Sequence, residues 1–204
     1  MNDHIVVPRG GSATVTAGGV SVVVTWPLTD DGQPWPWSRD ISGELARNPH
    51  CPPPLQRGWW QRELSQIDGL TIHHTLSHSP WATAEHYVHK GGGRPSIPYH
   101  IWITEAGEVL LCLPLTEGCW HDHTGHRNTH ISVGLAGERH KYPPTAAQLA
   151  AAVRVAAWAI NNPEMQVTVK SVKGHNDYYS TICPGWDAAG WRAKFYNRLH
   201  ESLE

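Results

Sequence analysis

The stretch "QVTVKSVKGHNDYYSTICPG", residues 166–185, decides how the chain is read. Its first seven residues alternate apolar with polar or charged side chains, the period of a strand with one buried face. That strand pattern delivers the chain into a polar loop where His175 stands eight residues before Cys183, and Pro184-Gly185 follows the cysteine at once. Imidazole nitrogen and thiolate sulfur are both zinc ligands, and a Pro-Gly turn behind the thiolate would hold the second of them in place. The same segment reads equally as a solvated loop with an inert buried thiol. What separates the two is whether a third ligand arrives from elsewhere.

A third candidate sits at the end of another buried-strand pattern, "GLTIHHT" at 69–75. His73 is the residue that would face the loop, and His74 should point to the other side of its strand. Three protein ligands with a fourth position left for water is the usual pattern of catalytic zinc, but a core histidine at 73 is an equally ordinary reading. A rival cluster lies in "WHDHTGHRNTH", which holds His121, His123, His126 and His130 together with Asp122. Its glycine and threonine content also suits a substrate rim.

Around these segments the chain is regular from residue 59 onward. A short helix is expected over 81–90, stopped by glycines 91–93. "YHIWIT" and "EVLLCL" flank "EAGE" as a hairpin, which makes Trp102 a core residue on an alternating strand. "HISVGLAG" reads as a further strand. Thr145 and Gln148 have capping-box spacing ahead of a helix whose apolar face carries Leu149, Val153, Ala156 and Ile160. A last helix, from about Asp187 to Leu203, presents Trp191, Phe195 and Leu199. The expected fold class is therefore α/β (α+β), with a central mixed β-sheet flanked by helices; a zinc site, should the three candidate ligands converge, would lie in a surface groove. Two histidine-bearing segments that each follow a buried strand can meet where strands end.

Residues 1–58 read differently. "HIVV", "ATVT" and "VSVVVTW" suggest short strands joined by glycine turns, and 29–58 is a Pro/Trp-rich arm in which proline prevents long regular elements. The expected division is an N-terminal extension at 1–58 and a main domain at 59–204, the part that would carry any catalysis.

Composition narrows the class of function. With 40% hydrophobic and 17% charged residues and a formal net charge of -2, the 204-residue chain suits a globular domain and not a polycation that wraps nucleic acid. The four cysteines form no CxxC, and a pairing of Cys112 with Cys119 stays open. "AAAVRVAAWAI" is interrupted by Arg154 and too short to span a bilayer. No HExxH motif favours the common metalloprotease arrangement.

In order along the chain, "TIHHT" (71–75), "PYHIWIT" (98–104), "NTHISVGLAG" (128–137) and "KGHNDYYSTICPG" (173–185) resemble the type 2 family of zinc-dependent N-acetylmuramoyl-L-alanine amidases. This family includes amidase-type phage endolysins and the peptidoglycan recognition proteins. The resemblance covers roughly residues 59–200, and it implies one catalytic Zn2+ ion and cleavage of the amide between N-acetylmuramic acid and L-alanine in peptidoglycan. It assigns His73, His175 and Cys183 as metal ligands and Tyr99 as the catalytic tyrosine that hydrogen-bonds the developing oxyanion. Thr181 falls where some phage members carry lysine; it could orient water or substrate but is a poor independent base. His74, Trp81, Trp120, His121 and Arg127 are the expected substrate contacts. Binding-only recognition proteins often lose the cysteine ligand, so its presence here favours an enzyme. The expected partner is bacterial peptidoglycan, with no nucleic acid and no membrane insertion, and the expected state is a monomer. A lysin made in a host cytoplasm without a signal peptide, acting at the wall after release, fits these features.

Overall fold

The structure, a computed structural model, describes residues 12–17, 20–25, 36–51, 60–90 and 93–204. Strands β1 (Ser12–Ala17) and β2 (Val20–Thr25) pair antiparallel as a two-stranded sheet, as the N-terminal pattern predicts. "HIVV" lies outside the described residues.

Six further strands form one mixed sheet. They are β3 (Arg39–Asp40), β4 (Gly69–His74), β5 (Ile101–Ile103), β6 (Val109–Leu111), β7 (His130–Leu135) and β8 (Val172–Gly174), in the spatial order β3-β6-β5-β7-β4-β8. Only β5 and β6 pair antiparallel, as the hairpin around "EAGE"; the other neighbours run parallel. The Pro/Trp-rich arm supplies the edge strand β3, and Trp37, Ile41 and Leu45 are buried, so the sheet recruits residues well before position 59.

Alternation along the strands gives the sheet two different faces. Leu70 and Ile72 of β4, Ile101 and Ile103 of β5, and Ile131, Val133 and Leu135 of β7 share one apolar cluster with helices α2 (Ala146–Asn161) and α3 (Arg192–Glu201). The intervening residues include Trp102, which packs with Tyr99, Ile97 and Ala84 of helix α1 (Pro80–Glu85) in a second cluster. Fully burying one such aliphatic or aromatic side chain contributes about 1.5–3 kcal/mol. His73 therefore faces the second cluster, because its strand neighbours Leu70 and Ile72 commit the other face to α2 and α3.

Several expected elements are shorter than their sequence pattern. The alternation of "QVTVKSV" yields strand only at Val172–Gly174; before it, Thr168 N donates to Ser171 Oγ (2.9 Å), and residues 169–171 close into a tight turn. Serine and threonine side chains that bond nearby backbone compete with a strand ladder. The helix expected over 81–90 is α-helical to Glu85 and continues as a π-helical turn over His86–Lys90. The last helix begins at Arg192 and not near 187, since Gly190 adopts φ +68° and Asp187 is engaged by Asn176 and Arg192. Thr145 caps α2 by accepting from Gln148 N (3.0 Å), but the reciprocal half of the capping box is absent. The Gln148 side chain donates instead to Ile103 O and Ala136 O, sealing two sheet-edge carbonyls. Cys112 and Cys119 are separate buried thiols and form no disulfide.

Candidate metal centre

Register explains how the two histidine segments meet. β8 runs parallel beside β4 with Ile72 opposite Gly174, so the next residues, His73 and His175, emerge side by side at the strands' carboxyl ends. Their rings are 4.6 Å apart. The chain then turns back at Cys183, whose sulfur lies 3.5 Å from His73 Nδ1 and accepts the His74 N–H at 3.3 Å. The turn depends on Gly185: its φ is +89°, and a Cβ there would stand 2.3 Å from His140 N. No L side chain fits that approach.

The returning loop is pinned from within. Asp177 accepts the Gly174 N–H (2.8 Å) and pairs with Arg192 of α3 (2.5 Å), Asn176 donates to Asp187 (2.8 Å), and Tyr178 hydrogen-bonds Thr71 of β4. Asn176, Asp177 and Tyr178 thus shape the loop, and Tyr179 stacks on the His175 ring at 14°.

Among the described residues, His73, His175 and Cys183 are the one group of three or more histidine, cysteine or acidic residues whose donor atoms converge, all lying within 4.8 Å of one another. Tetrahedral zinc with bonds near 2.0–2.3 Å would set its nitrogen and sulfur ligands roughly 3.3–3.7 Å apart. The 3.5 Å between His73 Nδ1 and Cys183 Sγ falls in that range. His175 Nε2 is a buried nitrogen with no hydrogen-bond partner, which leaves His175 without a competing protein contact at that atom. Burial, with the neighbouring histidines, holds His73 well below the ordinary imidazole range, and burial lowers His175 as well, so both are neutral ligands at pH 7. Burial also pushes the Cys183 thiol up to about 12, so a cation would have to displace its proton. Two neutral imidazoles and one thiol fit a zinc ion.

The cluster opens into a groove of about 250 Å3 lined by His74, Thr75, Leu76, Tyr87, Arg94, Pro98, Tyr99, Trp120, His121 and Thr181 beside the three ligands. Tyr99 immediately precedes the hairpin, with its ring 5.7 Å from that of His73 and edge-on to Trp102. Burial first, then nearby Tyr87 and the thiols, raise its phenol well above its ordinary value, so it is a neutral donor. Thr181 accepts the Cys183 N–H at 3.2 Å.

The expected substrate contacts divide. Trp120 lines the groove, with the Arg127 guanidinium over its ring at 5.1 Å. His74 borders the groove, but its ring packs against that of His140. His121 is buried behind the ligands, its Nδ1 3.1 Å from His73 Nε2. Trp81 does not line the groove; it is 39% exposed on α1, under the guanidinium of Arg39. The remaining histidines of the rival cluster make contacts within the fold: His130 bonds Thr71 (3.0 Å), His126 packs tilted against Tyr178, and His123 packs tilted against Tyr179. Tyr87 and Arg94 of the groove were not legible in the sequence, since both lie beside a glycine run in a segment with no motif. Arg94 stacks on Tyr87 with its guanidinium 4.9 Å from the ring centroid.

A mixed sheet carrying an open His-His-Cys cluster where parallel strands end defines an α/β protein with a candidate metal site in a solvent-facing groove. The family model described as N-acetylmuramoyl-L-alanine amidase matches residues 63–186, well over half of the chain, and the chain belongs to that family. Solved structures share the fold. The N-acetylmuramoyl-L-alanine amidase LysC from Clostridium intestinale URNW is 19% identical over 72% of this chain and 95% of its own, with a TM-score of 0.58. The Ph2119 endolysin from the Thermus scotoductus MAT2119 bacteriophage is 17% identical over 80% and 97%, also at 0.58. Wild-type PGRP-LB of Drosophila is 17% identical over 74% and 89%, at 0.57. No curated protein sequence gives a significant match. No described helix is long and apolar enough to cross a membrane.

Proposed function

We propose that the protein is a zinc-dependent N-acetylmuramoyl-L-alanine amidase that cleaves the bond between N-acetylmuramic acid and L-alanine in bacterial peptidoglycan. The convergence of His73, His175 and Cys183 at the floor of an open groove carries the reading, with family membership supporting the choice of amide. A zinc ion held by these three residues would supply Lewis acidity toward water and the scissile carbonyl.

The chain's own residues do the rest. Tyr99, neutral and oriented by packing on Trp102, donates a hydrogen bond to negative charge developing on the carbonyl oxygen. Thr181, with one lone pair taken by the Cys183 N–H, keeps its O–H free to orient substrate or water. Trp120, steadied by Arg127, offers an aromatic wall to the ligand. The protein acts as a monomeric phage lysin, made in the host cytoplasm and reaching the wall after release, and it binds neither nucleic acid nor the membrane interior. The fold shared with a phage endolysin over nearly all of that chain supports the lysin assignment.

Digestion of defined muropeptides with zinc content measured in the same sample tests the proposal. The expected product is free N-terminal L-alanine. Reducing sugar ends alone, or no cleavage by zinc-loaded protein, would overturn it.

A further inference from the structure

Asp122 presents a puzzle of charge. Its side chain is fully shielded from solvent, and among the described residues no lysine or arginine comes within ion-pair distance of it. One oxygen, Oδ1, accepts from Thr124 N (2.5 Å) and Thr124 Oγ1 (2.8 Å). The other, Oδ2, is buried with no hydrogen-bond partner, although it lies 3.2 Å from His121 Nδ1. That nitrogen cannot serve it. With His73 committed through Nδ1 to the cluster that holds Cys183, His73 Nε2 carries the proton and donates to His121 Nδ1 at 3.1 Å. A buried carboxylate without a cation is costly, and proteins retain one where a positive charge comes to meet it.

We propose that Asp122 is the second anionic charge of the metal centre, acting across space from behind His121 to help hold a dication that His73, His175 and Cys183 ligate. One thiolate neutralises half of a divalent charge, and the buried carboxylate supplies the balance. Asp122 Oδ2 lies 3.2 Å from His121 Nδ1, which in turn lies 3.1 Å from His73 Nε2, so the carboxylate stands one side chain behind a candidate ligand. Asp122 is thus a positioning residue: it touches neither substrate nor the metal's ligand atoms. The inference rests on the metal reading of the three ligands and goes beyond it.

The test is Asp122→Asn, which keeps the shape and an oxygen for Thr124 but removes the charge. Zinc affinity is measured by chelator competition and thermal stability is measured on the metal-free protein. Outer partners of metal ligands typically contribute about 10–100-fold in metal affinity, and a loss of that size is expected for D122N. The metal-free variant should melt at or above the metal-free parent, because an uncompensated buried charge has gone. Asp122→Glu, which restores the charge in a poorer shape, should bind zinc more tightly than D122N. D122N with parental zinc affinity, or with a destabilised or unfolded metal-free state, overturns the proposal, since a merely structural aspartate behaves that way. A parent that fails to bind one zinc per chain would instead overturn the metal reading itself.

Discussion

Replacing Gly134 by alanine tests whether packing alone holds Tyr99, the proposed oxyanion donor, in place. Gly134 lies on β7 opposite both His73 of β4 and Trp102 of β5, on the groove face of the sheet. A Cβ there would stand 2.8 Å from Thr75 Cγ2 and 3.0 Å from Tyr99 Cγ. Carbon atoms in comfortable contact are about 3.5–4.0 Å apart, so the methyl must gain roughly 0.5–1 Å from its neighbours. Neither yields freely: Thr75 donates to Ser77 O at 2.7 Å, and Tyr99 is buried against Trp102. Overpacking of this kind costs about 1–3 kcal/mol. For a chain of this length that is a fall of about 3–10 °C in Tm. The push falls on the Tyr99 ring, and a displacement near 1 Å at a reacting group can cost about 10²-fold in rate. G134A should therefore melt lower, keep one zinc per chain, and lose roughly 10–100-fold in kcat with KM changed less, as followed by release of N-terminal L-alanine. Thr75→Ser in the same chain removes the nearer clash and should recover part of both losses. Parental Tm and kcat in G134A would refute the reasoning, because the methyl would then have found room without moving Tyr99.

Three further outcomes are expected. Tyr99→Phe keeps the ring against Trp102 and loses only the donor, so zinc should remain while kcat falls by about 10²–10³; rates equal to the parent would remove Tyr99 from the chemistry. Cys183→Ser should lose both zinc affinity and amidase activity, and unchanged activity in metal-verified protein would rule out the ligand set. His130, only 5% exposed in its side chain, is lowered by burial to about 4, so the unfolded chain binds more protons than the folded one between about pH 6.5 and 4. Stability should fall as pH drops through that window and level off below it, with His130 contributing about 3 kcal/mol of the loss. Urea unfolding of His130→Gln across the same range should show a shallower acid limb; an identical slope would show that His130 titrates normally.

The convergence of His73, His175 and Cys183 was legible because its signals are local. A buried strand announces itself by apolar period, and His73 and Cys183 each stand at a recognisable punctuation, a strand end and a Pro-Gly turn. The helices' apolar faces were legible for the same reason, with Phe195 and Leu199 buried as their spacing predicts. What failed was the extent of elements whose ends are set by side-chain bonds. Nothing in "QVTVKSV" announces that Ser171 will bond Thr168, and nothing in Thr145-Gln148 spacing announces that the glutamine amide will be drawn to Ile103 and Ala136. Local pattern cannot see a partner that only the assembled sheet brings near.

The histidine-rich loop shows the same limit at the site itself. From "WHDHTGHRNTH" the residues are interchangeable polar groups of a rim, yet the fold gives each a different chemistry: His121 behind His73, Asp122 buried without a lysine or arginine partner, His126 tilted against Tyr178, His130 bonded to Thr71. Arg62 does much of this sorting from outside the loop. Its guanidinium, buried and lowered to about 10 by desolvation, reaches Leu115 O, Asn128 O and His130 O. One cation thereby fixes the backbone on both sides of residues 119–128. The groove wall at Trp120 and the charge at Asp122 thus owe their positions to a residue more than fifty positions away in sequence. A substitution at Arg62 would therefore act on the groove wall through the backbone at Leu115, Asn128 and His130, without touching His73, His175 or Cys183.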